Sequence, residues 1–119
     1  KQKPYFDAPS GIPSIQHSLQ MMLEVAKDND ELLTMVVQKM CHNPALLFGI
    51  RDRGFIRPGY KADLVLVRPG AEETVTKESL LYKCGWSPLE GQTFHTRIER
   101  VWVNGDNTGS HAEALQFSK

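Results

Sequence analysis

Between residues 14 and 41 apolar side chains recur at helical spacing, and beyond residue 62 they fall into a short run and then an alternation. The change of period divides the chain into a helical first part and a stranded second part. Ile15, Leu19, Met22, Leu23 and Ala26 form one stripe, with Gln16, Gln20, Glu24 and Lys27 opposite. This predicts a helix over 14–27 capped by Ser14. Asp28, Asn29 and Asp30 break it. Asp28 stands three residues before Glu31, a capping-box arrangement that opens a second helix. That helix buries Leu33, Val36, Val37 and Met40. It should stop at His42–Asn43–Pro44, because a residue before proline avoids the helical region. Residues 1–13 carry three prolines and a glycine, so they read as an extended loop, partly covered through Tyr5 and Phe6.

Residues 43–69 are the best-specified stretch. Asn43 is a good N-cap and Pro44 suits a first helical position. Ala45 to Phe48 give one apolar turn, and Gly49 fits a left-handed stop. Gly54 and Gly59 punctuate two tight turns, with Pro58 setting φ for the second. The run 62–67, rich in Val and Leu and closed by Pro69–Gly70, predicts a strand buried on both faces. Residues 70–75 read as loop, 76–81 fit either a loop or one helical turn, and 82–91 read as a Gly/Pro-punctuated loop around Trp86. Arg97 to Val103 alternate charged and apolar residues, which makes a half-exposed strand. Asn104–Gly105 then forms a type I′ hairpin turn, and residues 106–119 make a frayed tail.

Composition narrows the partners. The 119 residues suffice for one modest domain, with formal net charge zero and pI near 7.1. A nucleic-acid footprint and an acidic tail are both absent. No apolar run reaches the ~18 residues of a membrane span, and no secretory signal is visible. Cys41 and Cys84 stand far apart and match no metal spacing, so they read as free thiols in a reducing cytoplasm. The polar start without Met reads as a piece of a longer protein. There is no internal repeat.

The string NPA, then G, then G-x-I-x-x-G, then ADLVLV, over residues 43–67, resembles the C-terminal end of the amidohydrolase superfamily. There it marks the chain leaving a metal-bearing (β/α) barrel for a small β-sandwich. The flanks narrow the likeness. KPYFDAPSGIPSIQHSL resembles the loop and helix after the last metal-ligand motif of the dihydroorotase family, and KCGWSPLEGQTFHTRIERVWVNG resembles its ending, with Ser87, Pro88 and Gly91 matching. Hydantoinase, dihydropyrimidinase and allantoinase are near relatives. The resemblance implies an α+β fold. Residues 1–48 would be the barrel's end, a substrate loop plus helices, 49–105 the sandwich segment, and 106–119 a tail.

The resemblance also implies a zinc-dependent cyclic amide hydrolase that interconverts N-carbamoyl-aspartate and dihydroorotate in pyrimidine biosynthesis. Its hydroxide is activated by one or two zinc ions, and an aspartate shuttles the proton. The family ligands are a His-x-His pair, a carboxylated lysine, two further histidines and that aspartate. None of these motifs occurs here, so the fragment is expected to be inactive and to bind no zinc. One piece of the family's site does map: main-chain contacts to substrate come from a small-residue-plus-Gly pair, here Ser10–Gly11. A backbone amide approaches a carboxylate closely where no side chain intervenes. The plainer alternative makes Gly11 a turn glycine before a helix.

The other candidates have structural readings. His17 is a partly buried, hydrogen-bonded histidine. His42 suits a helix end, while His95 and His111 are solvated. Asp63 bonds nearby backbone N–H groups. Trp86 and Trp102 are packing residues, and Arg51, Asp52 and Arg53 form a solvated charged turn. The implied partners are a small-molecule substrate and a second copy of the chain, with no nucleic acid and no membrane. The rival readings are a non-catalytic dihydroorotase-like scaffold, or a free-standing small binding domain, against which the proline-rich start argues.

Overall fold

The computed structural model describes residues 11–107, and within them the chain is α+β. Ser10 and His111 lie outside the described residues. A single 3-10 turn, Ile15–His17, leads into helix α1 (Ser18–Ala26). Helix α2 (Asp30–Val37) is capped by Asn29, whose side chain accepts N–H bonds from Glu31 at 2.9 Å and Leu32 at 3.1 Å. The cap is therefore Asn29, not Asp28. Asn29 sits in the extended region, which aims its carbonyl oxygen at the first free amides.

The second helix does not stop before Pro44. It widens into one π turn, Gln38–His42, and continues as α3 (Asn43–Leu47). Asn43 keeps helical angles, φ −64 and ψ −42, and its N–H reaches back to the carbonyl of Gln38. The wide turn makes room for the proline ring against the preceding turn, so the expected break becomes a bulge. Asn43 is consequently not an N-cap. The stop at Gly49 is a Schellman motif. Gly49 has φ +62 and donates to Leu46 at 3.3 Å, and Ile50 donates to Ala45 at 2.9 Å.

Three antiparallel strands follow in the order β1 (Leu64–Thr74), β2 (Thr93–Val103) and β3 (Asp106–Asn107). Leu64 faces Trp102, Val65 faces Val101 and Thr74 faces Thr93. The register slips between Leu66 and Val67 and again between Pro69 and Glu73. The second slip explains why residues 70–74, expected to be loop, belong to the strand: the Pro-Gly pair is absorbed as an irregularity. Strand β1 is not buried on both faces. Leu64, Val65 and Leu66 are exposed and Val67 is half-buried, because the helices cover only part of one side. Asn104 (φ +55) and Gly105 (φ +88) make the expected type I′ turn into β3.

The helical turn at 76–81 is a 3-10 turn, Lys77–Ser79, with Thr76 and Ser79 bonding reciprocally as a capping box. Ser87, Pro88 and Gly91 form a compact turn. Ser87 Oγ accepts from the N–H of Leu89 at 3.2 Å, and Glu90 Oε1 accepts from the N–H of Ser87 at 3.1 Å. Gly91 then donates to Val75 at 2.9 Å, which locks the turn to the end of β1.

The core is small. Leu23, Ala26 and Val36 are buried together, with Leu19, Leu32 and Val67 packed against them. Helix α1 lies on β2, yet the buried face is not the apolar stripe alone. His17 and Gln20 are buried, while Ile15 is 86% exposed and Met22 41%. The sheet has claimed the mixed face between the expected stripe and its polar opposite.

A polar joint between helix and sheet

Gly11 is the described member of the Ser10–Gly11 pair. It has φ +75 and is exposed, and an added side-chain carbon would meet nothing within 4 Å. Its left-handed backbone favours glycine. In these residues it stands at the surface, just ahead of the first helical turn.

Beyond it the chain makes a polar joint. Gln16 Nε2 donates to the Ser79 carbonyl at 2.8 Å, Gln16 Oε1 accepts from the Leu81 N–H at 2.9 Å, and the Gln16 N–H donates to the Tyr82 hydroxyl at 2.8 Å. Gln20 Nε2 donates to Glu73 Oε2 at 2.9 Å and, more loosely, to the Thr96 carbonyl at 3.5 Å. A cavity of about 160 Å³ opens between these residues, lined by Gln16, His17, Gln20, Glu73, Val75 and Ile98 among others. Nothing in the sequence marked Gln16, Gln20 or Glu73. The packing of α1 on the sheet brings them together.

His17 sits in this joint, 5% exposed. Its ring stacks on Phe94 at 6.2 Å and meets the edge of Tyr82 at 6.3 Å. It is buried as expected, but its Nδ1 has no hydrogen-bond partner. Burial pushes its pKa down, and Glu73 partly opposes that.

A second polar group links α1 to β2. Glu24 Oε1 accepts from Lys27 Nζ at 2.7 Å and meets His95 Nδ1 at 2.9 Å, while Oε2 accepts from the His95 N–H at 2.8 Å. The Lys27 bond first, and the His95 bonds with it, hold the Glu24 carboxyl at about 2. His95 is thus bound on a strand rather than free in a solvated loop.

Arg53 is not solvated either. It pairs with Asp63, and its Nη2 donates to Asn104 Oδ1 at 2.7 Å, while Asp63 Oδ1 accepts from the Asn104 N–H at 2.9 Å. Asp63 therefore does bond backbone, as its position suggested. Its partner stands across the sheet, on the hairpin turn. His42, inside the continued helix, stacks on Phe55 at 4.3 Å, and the Arg57 guanidinium covers the ring at 4.4 Å.

Three of the four histidines are thus separately engaged, and the described residues hold no group of three or more His, Cys, Asp or Glu side chains able to bind a metal. These residues do not fit a zinc centre. Also among them, no helix is long and apolar enough to cross a membrane, and both cysteines are free and exposed.

The amidohydrolase family profile matches residues 7–108. Over 86 residues the chain is 36% identical to a dihydroorotase of Halobacterium salinarum, covering 72% of this chain and 20% of that protein. It is 33% identical over 97 residues to an allantoinase of Salmonella paratyphi B, covering 81% of this chain and 21% of that protein. A dihydroorotase of Methanosarcina acetivorans is 33% identical over 86 residues, covering 71% of this chain and 18% of that protein. The chain spans about a fifth of the length of the curated relatives it matches.

Proposed function

The chain belongs to the amidohydrolase family, and from that premise we propose that the whole protein is a dihydroorotase, a cyclic amide hydrolase converting between N-carbamoyl-L-aspartate and L-dihydroorotate. The 36% identity to a dihydroorotase carries the reading. Residues 1–48 supply the end of the catalytic barrel, and 49–105 a segment of the sandwich. The α+β order, helices first and antiparallel strands after, supports that division.

Within this reading the Ser10–Gly11 loop presents backbone amides to the substrate. The open surroundings and left-handed backbone of Gly11 support it, since an amide there can be approached without a side chain intervening. The zinc ligands belong to residues outside this chain. His17 is caged by aromatic rings, His42 is stacked on Phe55 and His95 is held by Glu24, so none is placed to share an ion. When bound, zinc supplies the activated hydroxide. The two free thiols suit a cytoplasmic enzyme.

Allantoinase is the second reading, favoured by a match that covers more of the chain, 81%. The two share the cyclic amide and differ in the ring. Steady-state assays of the full-length protein, loaded with zinc, on dihydroorotate, allantoin and hydantoin separate them. Turnover of dihydroorotate with none of allantoin is expected. Turnover of allantoin alone assigns the second reading, and turnover of none points to a non-catalytic relative.

A further inference from the structure

His17 is the only buried titratable side chain among the described residues. It lies where the first helical turn meets the sheet. The groups around it come from every element of the joint. Gln16 and Gln20 share its helical segment, Glu73 comes from β1, Tyr82 from the following loop, and Phe94 and Thr96 from β2. Of these only Glu73 carries a formal charge, and it already accepts a bond from Gln20.

A neutral imidazole is tolerated in such a cage at the cost of one unpaired nitrogen. An imidazolium is not, because protonation turns Nδ1 into a charged donor, and Nδ1 has no acceptor in reach. The polar contacts that seat the helix are the Gln20 bonds to Glu73 and Thr96, the Gln16 bonds to Ser79, Leu81 and Tyr82, and the Glu24 bonds to His95. The cavity beside them gives water a way in.

We propose that His17 is an acid-sensitive latch between helix α1 and the sheet: neutral, it lets the helix seat, and protonated, it releases that seat together with the Gly11 end of the helix. The sign follows from burial. The buried imidazole binds a proton less well than it would in the unfolded chain, with Glu73 partly offsetting this. The joint's stability is therefore complete above the ordinary histidine value of 6.5 and is lost as pH falls below it. Because the segment carrying Gly11 leads directly into this turn, mild acid would loosen Gly11 with it.

The test is amide hydrogen exchange by NMR on the full chain from about pH 7.5 to about pH 5, corrected for the intrinsic pH dependence, with the His17 ring signals followed in parallel. Protection of α1 and of Thr96 should fall by up to about tenfold per pH unit once His17 begins to protonate. His17→Leu, which fills the cage without a titratable nitrogen, should hold its protection flat. Glu73→Gln should leave the onset near 6.5 and carry the fall to lower pH, since it removes the one charge that favours the imidazolium in the closed joint. Flat protection in the unmodified chain overturns the proposal, and so does an unchanged pH dependence in His17→Leu. Should His17→Leu fail to fold, Glu73→Gln decides: a fall that ends at the same or a higher pH than in the unmodified chain overturns it.

Discussion

Gly54 shows how much one hydrogen can decide. It has φ +78, and an added side-chain carbon would stand 2.4 Å from Ala45 Cβ and 2.8 Å from the Cys41 carbonyl oxygen. Both neighbours belong to the helix, so neither can swing aside. Gly54→Ala combines a left-handed backbone, roughly 1–2 kcal/mol, with overpacking of about 1–3 kcal/mol. A loss of about 2–4 kcal/mol in chemical denaturation is expected, and a loss below about 1 kcal/mol would mean the helix yields. Gly11 makes a contrasting case, because space around it is open. In the full-length enzyme Gly11→Val should lower kcat/KM by roughly ten- to a hundredfold, the scale of a lost charge-assisted bond. Gly11→Ala shares most of the backbone strain without the bulk, so it separates the two causes. Unchanged kinetics in folded Gly11→Val would leave Gly11 a turn glycine ahead of a helix.

At the scale of elements, the hairpin end of the sheet is held by the triangle of Arg53, Asp63 and Asn104. Burial raises the Asp63 pKa, but the Asn104 N–H and the Arg53 guanidinium outweigh it and the net shift is downward. That stabilisation is present above the ordinary value of 3.8 and is lost as pH falls below it. Asp63→Ala should cost about 1–3 kcal/mol, since it strands the guanidinium and a backbone N–H. Asp63→Asn keeps an acceptor for Asn104 and should cost less. Equal losses in thermal melts would show that the charge, not the backbone bond, holds the turn. The same elements show which structure is local. Gly49, Asn104 and Gly105 need a left-handed backbone, so their turns were legible from residue type alone. The continued helix through Pro44 was not, because a π turn cancels the proline's penalty and leaves no mark in the sequence. Strand β1 past Gly70 was hidden for a similar reason: pairing with β2 overrides the Pro-Gly signal. The polar joint lay furthest from view. Gln16 and Ser79 are far apart in sequence, and only the packing of α1 on the sheet introduces them.

The whole molecule carries less core than its elements ask for. Among the described residues the buried apolar side chains are few, and none of the large ones is fully enclosed. The deficit follows from layering. Helix α1 packs on α2 and on strand β2, so only part of one side of the sheet is covered, and the described residues supply no third layer. Met22, Val25, Leu33, Met35 and Val37 stay exposed on the helices, Leu46, Leu47 and Phe48 at the end of α3, and Leu64 to Leu66 on β1. Strand β1 is also an open edge, with β2 on one side and nothing on the other among the described residues. Each aliphatic side chain moved from water to a buried site is worth about 1.5–3 kcal/mol. Leaving several exposed therefore forgoes as much free energy as the ~5–15 kcal/mol by which a typical domain is stable. The isolated 119-residue chain should consequently associate through these faces. Light scattering coupled to size exclusion should give a mass above the 13.4 kDa of one chain, and a hydrophobic dye should bind. Association should weaken when Leu46 and Leu47 are both replaced by Gln, because these side chains are 69% and 78% exposed and hold no core together. A cooperatively melting 13.4 kDa monomer that binds no dye would overturn this, since it would mean that the small buried cluster suffices.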